Sequence, residues 1–197
     1  DEAIAQALAS SDAGAVFTWT LADDMAFTTR ASYTSNRQSR RFGLHQAPST
    51  AETALAEAAW NGRAGAHRWL LGLAAKHEAL TAPTVSGIDY RYATPALFVQ
   101  DDWSFASWLT LSGSARYDHS NAFGGFFSPR LAALFRKPGG NWSLRATVGG
   151  GFALPTPFVD EIDDTGLGVL LPLAGLRAER ARTASLDAKW ADEGWNI

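Results

Sequence analysis

Asp118, His119 and Ser120 bring together the three residue types of a hydrolytic triad. A triad needs the imidazole between nucleophile and carboxylate in space. Neighbours in an extended chain point to alternate faces, so this run is read as wall and not as an active site. Gly149, Gly150 and Gly151 make a glycine run. A phosphate loop needs a Lys-Ser or Lys-Thr and a helix after it, and neither follows. Asp160, Glu161, Asp163 and Asp164 form an acidic run that offers a few oxygens. Calcium takes about six to eight, and this spacing matches no known loop. His45, His67, His77 and His119 show no metal-ligand spacing. The absence of cysteine removes thiol catalysis, disulfide scaffolds and zinc ribbons. No catalytic residue, metal or cofactor is expected. What remains is binding chemistry. Arg37, Arg40, Arg41 and His45 form a basic cluster that would attract an anion. Tyr90, Arg91 and Tyr92, with His119, Phe123, Phe126 and Phe127, offer aromatic walls and a guanidinium for an aromatic, anionic ligand. A solvated rim or a lipopolysaccharide contact is the competing reading of the basic cluster, and a rim feature that of the aromatic group.

The elements that carry these residues follow a period of two, which is the strand signature. Leu109, Leu111, Gly113, Ala115 and Tyr117 alternate with Thr110, Ser112, Ser114, Arg116 and Asp118. Trp142, Leu144, Ala146 and Val148 alternate with Ser143, Arg145, Thr147 and Gly149. The pattern predicts nine strands near 14–22, 25–36, 53–61, 66–77, 92–104, 108–119, 127–136, 141–152 and 180–191, with a tenth starting at Trp195. Short helical turns are expected at 3–9 and 158–163. Composition agrees with a folded chain: 46% apolar, 19% charged, and a net charge of −3 over 197 residues. That charge gives no basic stripe for nucleic acid. The longest stretch without a charged residue or histidine is 146–159, with three glycines and two prolines. It is too short and too broken for a membrane helix of about 20 residues. The chain reads as a mature chain or a fragment.

The predicted connections alternate in length. Those near 22–25, 61–65, 104–107, 137–141 and 191–194 are short. Those at 37–52, 78–91, 120–126 and 153–179 are longer. In an antiparallel meander the short ones share one end, as in outer-membrane barrels with short periplasmic turns. Trp19, Trp60, Trp69, Trp103, Trp108, Trp142, Trp190 and Trp195 all lie near short turns. Such a gathering reads as a girdle at a membrane–water interface. Arg30, Arg68, Lys76, Arg116, Arg130, Arg136, Arg145 and Lys189 fall opposite the apolar residues, with Asp118 and Asp187. A water-filled or plug-filled lumen would keep them hydrated or paired.

Residues 96–118, ALFVQDDWSFASWLTLSGSARYD, resemble TonB-dependent outer-membrane receptors, in which a "VQDEW"-like run precedes "LTLxxGxRYD". Residues 126–162 are similar to the family's "SPRxxxxY … WxLRxxxGxGFRxPxxxEL" segment, and 173–190 to its "NPxLxPExSxxxExGxxY" segment. The departures are Ala178 where Pro is usual, Arg180 and Arg182 around a usual Ser or Thr, and Leu154 for a common Arg. The resemblance implies an all-β fold. It is an antiparallel up-and-down meander of about nine or ten long strands, a partial transmembrane β-barrel. Residues 1–197 are then an internal barrel section, without the family's N-terminal plug or its C-terminal strand. The resemblance further implies a Gram-negative outer-membrane location and no enzymatic activity. It implies uptake of a scarce ligand such as a ferric siderophore, energised through contact of TonB with the plug region. The partners implied are outer-membrane lipid, the ligand and the TonB complex. A passive diffusion barrel and a soluble β-sandwich binding module are the alternatives. A soluble sandwich predicts solubility without detergent and buried Trp.

Overall fold

The computed structural model describes residues 4–42, 45–84, 87–156, 175–192 and 195–196; at 4, 5, 42, 45, 191, 192, 195 and 196 it describes backbone alone. Ten strands follow one another in chain order: β1 (Ile4–Ala22), β2 (Met25–Phe42), β3 (His45–Ala64), β4 (His67–Thr81), β5 (Tyr90–Ala106), β6 (Leu109–Ser120), β7 (Gly124–Arg136), β8 (Trp142–Ala153), β9 (Glu179–Asp192) and β10 (Trp195–Asn196). Each pairs antiparallel with the next, in one open sheet ordered β1 to β10.

The nine predicted strands are all present, and most are longer than expected. β1, β2 and β3 hold 19, 18 and 20 residues. A tilted membrane strand needs about 9–11. The helical turn expected at 3–9 is strand from Ile4, because each residue there pairs across to β2, from Ile4 with Phe42 onward. The long loop expected at 37–52 is also absent: β2 and β3 stay paired up to Phe42 with His45. Its sequence has no sustained alternation of apolar and polar residues, so no pattern marked it as strand. The ladder itself holds it. The second helical turn, at 158–163, lies outside the described residues.

The cross-strand register sorts side chains onto two faces. Phe17, Phe27, Trp60, Leu71, Leu73, Leu97, Val99, Tyr117, Leu131, Val148 and Leu186 share one face. Most of these are more than 40% exposed. The opposite face carries Arg30 bonded to Glu57 at 3.0 Å, Lys76 to Glu78 at 2.8 Å and Arg116 to Asp118 at 2.8 Å. A single-layer sheet cannot bury both faces. A group of buried residues gathers at one end of the polar face, around Tyr92, Thr94, Ala96, Asp118, Ser120 and Phe126.

Close packing between strands is decided by missing side chains at a few positions. A Cβ on Gly72 would stand 2.6 Å from the Ala58 carbonyl oxygen and meet the Phe98 ring. The ring can turn, but the backbone oxygen cannot. A Cβ on Gly113 would meet only the Leu131 Cδ2 at 3.6 Å. Gly72→Ala is therefore expected to cost about 1–3 kcal/mol, and Gly113→Ala within roughly 0.5 kcal/mol of nothing. Denaturation midpoints of the two variants, followed by the β circular-dichroism signal, check this; equal midpoints contradict it.

Candidate functional site

The two ends of the sheet differ in chemistry. At the short-turn end, Trp19, Trp60, Trp69, Trp103, Trp142 and Trp190 all fall on the apolar face by register, and Trp108 sits in the turn between β5 and β6. Trp60 meets Trp69 edge-on at 5.2 Å, Trp103 stacks on His67 at 5.5 Å, and Phe135 lies between Trp108 and Trp142. The side chain of Trp195 lies outside the described residues. On the polar face near this end, Arg68, Arg130, Arg136 and Arg145 line a concavity of about 530 Å³ with Gln100, Asp102 and several hydroxyls.

The other end carries the candidate binding residues, and the register divides them. Tyr90 and Tyr92 lie on the polar face and stack at 4.7 Å. Phe123 packs edge-on against Tyr92 at 5.3 Å. Phe126 is buried on the same face. Arg91, His119 and Phe127 alternate with these and point to the opposite face, with Phe127 63% exposed. The expected aromatic-and-cation group is thus half a site: Tyr90, Tyr92, Phe123 and Phe126 come together, and Arg91, His119 and Phe127 do not. Asp118 and Ser120 share the polar face while His119 takes the other, as alternation requires.

The basic cluster of the predicted loop is also divided, because its residues belong to a strand. Arg40 is buried on the polar face. The Gln38 amide, oriented with its oxygen toward Arg40, accepts from the guanidinium at 2.8 and 2.9 Å. Arg37 and Arg41 fall on the opposite face. His45 opens β3 opposite Phe42, and its side chain lies outside the described residues. The acidic run at Asp160, Glu161, Asp163 and Asp164 also lies outside them. Among the described residues no group of His, Asp or Glu could hold a metal ion.

Several residues of this end had no signal as site residues. Asp118 is 3% exposed and receives Arg116 through Nε at 2.9 and 3.0 Å, while that guanidinium lies over the Phe98 ring. Asn121 pins the β6–β7 turn to β5: its Oδ1 accepts from Ala93 N at 3.0 Å and its Nδ2 donates to Arg91 O at 3.2 Å. The Tyr92 hydroxyl donates to Pro155 O at 3.3 Å. Phe152 stacks on Phe126 at 4.3 Å, and Arg180 covers the same ring at 5.6 Å. Arg180 reaches past β8 to a ring on β7, and Pro155 reaches β5 from the end of β8, which spacing along the chain does not encode. The site thus offers aromatic faces, an ion pair and a second guanidinium.

An open sheet with one apolar, exposed face and one charged face needs partners on both sides, as a barrel wall has in lipid. The family model described as "TonB dependent receptor-like, beta-barrel" matches residues 5–197. The chain belongs to that family. It is barrel wall of a Gram-negative outer-membrane protein, and the family's members are receptors and transporters, not enzymes. The chain is 30% identical over 95 residues to the iron-regulated outer membrane virulence protein of Vibrio cholerae, a match covering 46% of this chain and 14% of that protein. Its fold matches the siderophore receptor PirA from Pseudomonas aeruginosa with a TM-score of 0.66 and 17% identity, over 96% of this chain and 44% of that one. It matches the FrpB iron transporter from Neisseria meningitidis with a TM-score of 0.74 and 13% identity, over 93% and 34%. The chain thus spans less than half of each of these relatives.

Burial pushes the Tyr90 and Tyr92 phenols above the ordinary 10.0, and the nearby Glu78 carboxylate adds to it. Both phenols then keep protons that the unfolded chain releases above pH 10. Stability is expected to fall as pH rises past 10, because the unfolded state alone gains the charged form. Urea midpoints at pH 8 and pH 10.5 check this. The fall should be smaller in a Tyr90→Phe/Tyr92→Phe variant, and an equal fall sinks the attribution.

Proposed function

We propose that this chain is wall and outer vestibule of an active transporter that imports a scarce iron chelate, energised through TonB. One observation carries the reading: aromatic and guanidinium groups converge on the lumen-facing side of a receptor-family barrel, at the end away from the short turns. Tyr90, Tyr92 and Phe123 supply faces on which a planar, anionic chelate would stack, and Arg180 over the Phe126 ring supplies positive charge. The iron-regulated relative and the siderophore receptor and iron transporter among the fold neighbours support iron as cargo. The partners in this reading are outer-membrane lipid on the apolar face, the ferric chelate at the vestibule and the TonB complex through other parts of the receptor. The eight tryptophans are the interface girdle of the inner leaflet, where an apolar ring with one N–H is best placed. The paired ends of β1, β2 and β3 then stand outside the membrane.

The intact receptor that contains this chain should restore radioiron uptake to an iron-starved strain lacking its own receptors, for at least one ferric siderophore such as ferric enterobactin or ferric citrate. Tyr92→Ala should lower the affinity about tenfold. Uptake of none, with the folded receptor present at the cell surface, would sink the iron reading.

The membrane reading has its own check. Leu73 is 65% exposed in the apolar belt, while Ser112 faces the lumen. In lipid vesicles Leu73→Arg is expected to lose about 2–4 kcal/mol. Ser112→Arg is expected to lose less than about 1 kcal/mol. Equal losses contradict the assignment of faces.

A further inference from the structure

The ladder between β7 and β8 ends early. It runs from Arg136 with Ser143 to Arg130 with Gly149 and stops there. β7 continues to Gly124 paired with β6, and β8 continues to Ala153 paired with β9. Two features sit at the stop. Pro129 has no N–H to donate, and its carbonyl oxygen would lie 3.2 Å from a Cβ on Gly149. Gly149, Gly150 and Gly151 carry no side chain, and a Cβ on Gly151 would meet nothing within 4 Å.

Beyond the stop, the faces no longer match. The β8–β9 register is unbroken from Trp142 with Trp190 to Ala153 with Glu179, so Phe152 and Arg180 belong to the face of Val148 and Leu186. That is the apolar, outward face. Phe126 belongs to the polar face, with Asp118 opposite it on β6. Yet Phe152 stacks on Phe126 within 10° of parallel, Arg180 covers the same ring, and Phe126 is 4% exposed. Residues in flat neighbouring strands that point to opposite faces cannot stack. The outer ends of β8 and β9 must have crossed to the inner side of β7. Pro155 says the same: two residues after β8 ends, its carbonyl accepts from Tyr92 on β5. Tyr92 stands off the polar face, so its hydroxyl meets the arm on the inner side of the sheet.

We propose that residues 150–153 and 179–182 form a gate that turns about Gly149 and lies over the inner side of β7, latched on its outward face by the Phe126 ring. The latch is made of side chains, one aromatic stack, one cation–π contact and one hydrogen bond, where the sheet elsewhere is held by a ladder. Such contacts are individually weak enough to exchange for a ligand's. The gate controls access to the polar face around Thr94, Asp118 and Ser120, the most covered surface of the described chain. This inference rests on the barrel reading, but not on iron as cargo.

The chain contains no cysteine, so introduced thiols report cleanly once any others in the intact receptor are changed to serine. Two measurements on that receptor in detergent test the gate, with heat-modifiable migration on gels as the check of folding. In a Phe126→Cys/Phe152→Cys variant, mild oxidation should close a disulfide in most molecules. In a Thr94→Cys background, Phe126→Ala should raise the labelling rate by a bulky hydrophilic maleimide about tenfold. Phe126→Leu, which keeps apolar bulk without the ring, should raise it as well and serves if the alanine variant does not fold. A folded receptor whose cysteine pair stays reduced overturns the crossing of the arm. Labelling within twofold of the parent overturns Phe126 as the latch. Neither readout depends on transport, so failure of the iron proposal leaves both interpretable.

Discussion

Every backbone N–H and C=O that enters lipid must find a partner inside the protein. The rest of this structure depends on that constraint. Helices meet it within one segment, but a sheet meets it only by pairing each strand with the next. The ten strands therefore follow chain order, with two-residue turns such as that at 65–66, where Gly65 takes φ +58°. The constraint is local to the membrane zone, yet its product extends beyond. β1, β2 and β3 continue as a paired ladder well past the length a membrane requires, because a formed ladder goes on holding residues of neutral strand preference.

The same constraint leaves no second layer over the apolar face. Leu, Phe and Trp that a soluble sandwich would bury stay exposed on one face, and lipid takes the place of the missing second layer. The polar face solves its own problem by short-range pairing. Arg116 with Asp118 and Lys76 with Glu78 lie two residues apart on one strand, and Arg30 with Glu57 lies directly across a ladder. Gly72 shows the cost of such close assembly, since the neighbouring backbone occupies the space of its missing side chain.

Where the ladder stops, side chains take over. Pro129 and the three glycines end the β7–β8 pairing, and rings and one guanidinium close the gap. Among the joins from β1 to β9 the shortest ladder, β7–β8, stops at the wet end, beside the vestibule, where water can satisfy a released backbone group. At the tryptophan end Asp101 is held by His67 at 2.7 Å, and Trp103 stacks on the same imidazole.

The sequence by itself determined the strand count, the faces within the membrane and the position of the tryptophans. Alternation of apolar and polar residues is imposed by lipid on one side and water on the other, so it is written into residues such as 109–118. It fell silent at 4–9 and 37–52, where water bathes both faces and no alternation is required. The binding end was legible as a list and not as a site. Tyr90, Tyr92, Phe123 and Phe126 were named together with Arg91, His119 and Phe127, and only the pairing register separated them. The tertiary structure alone decided that Phe152 and Arg180 reach the inner side of Phe126, and that Asn121 and Pro155 reach β5. Those contacts join strands by the bend of a sheet, and a bend depends on where hydrogen bonds stop, which no spacing along one chain records.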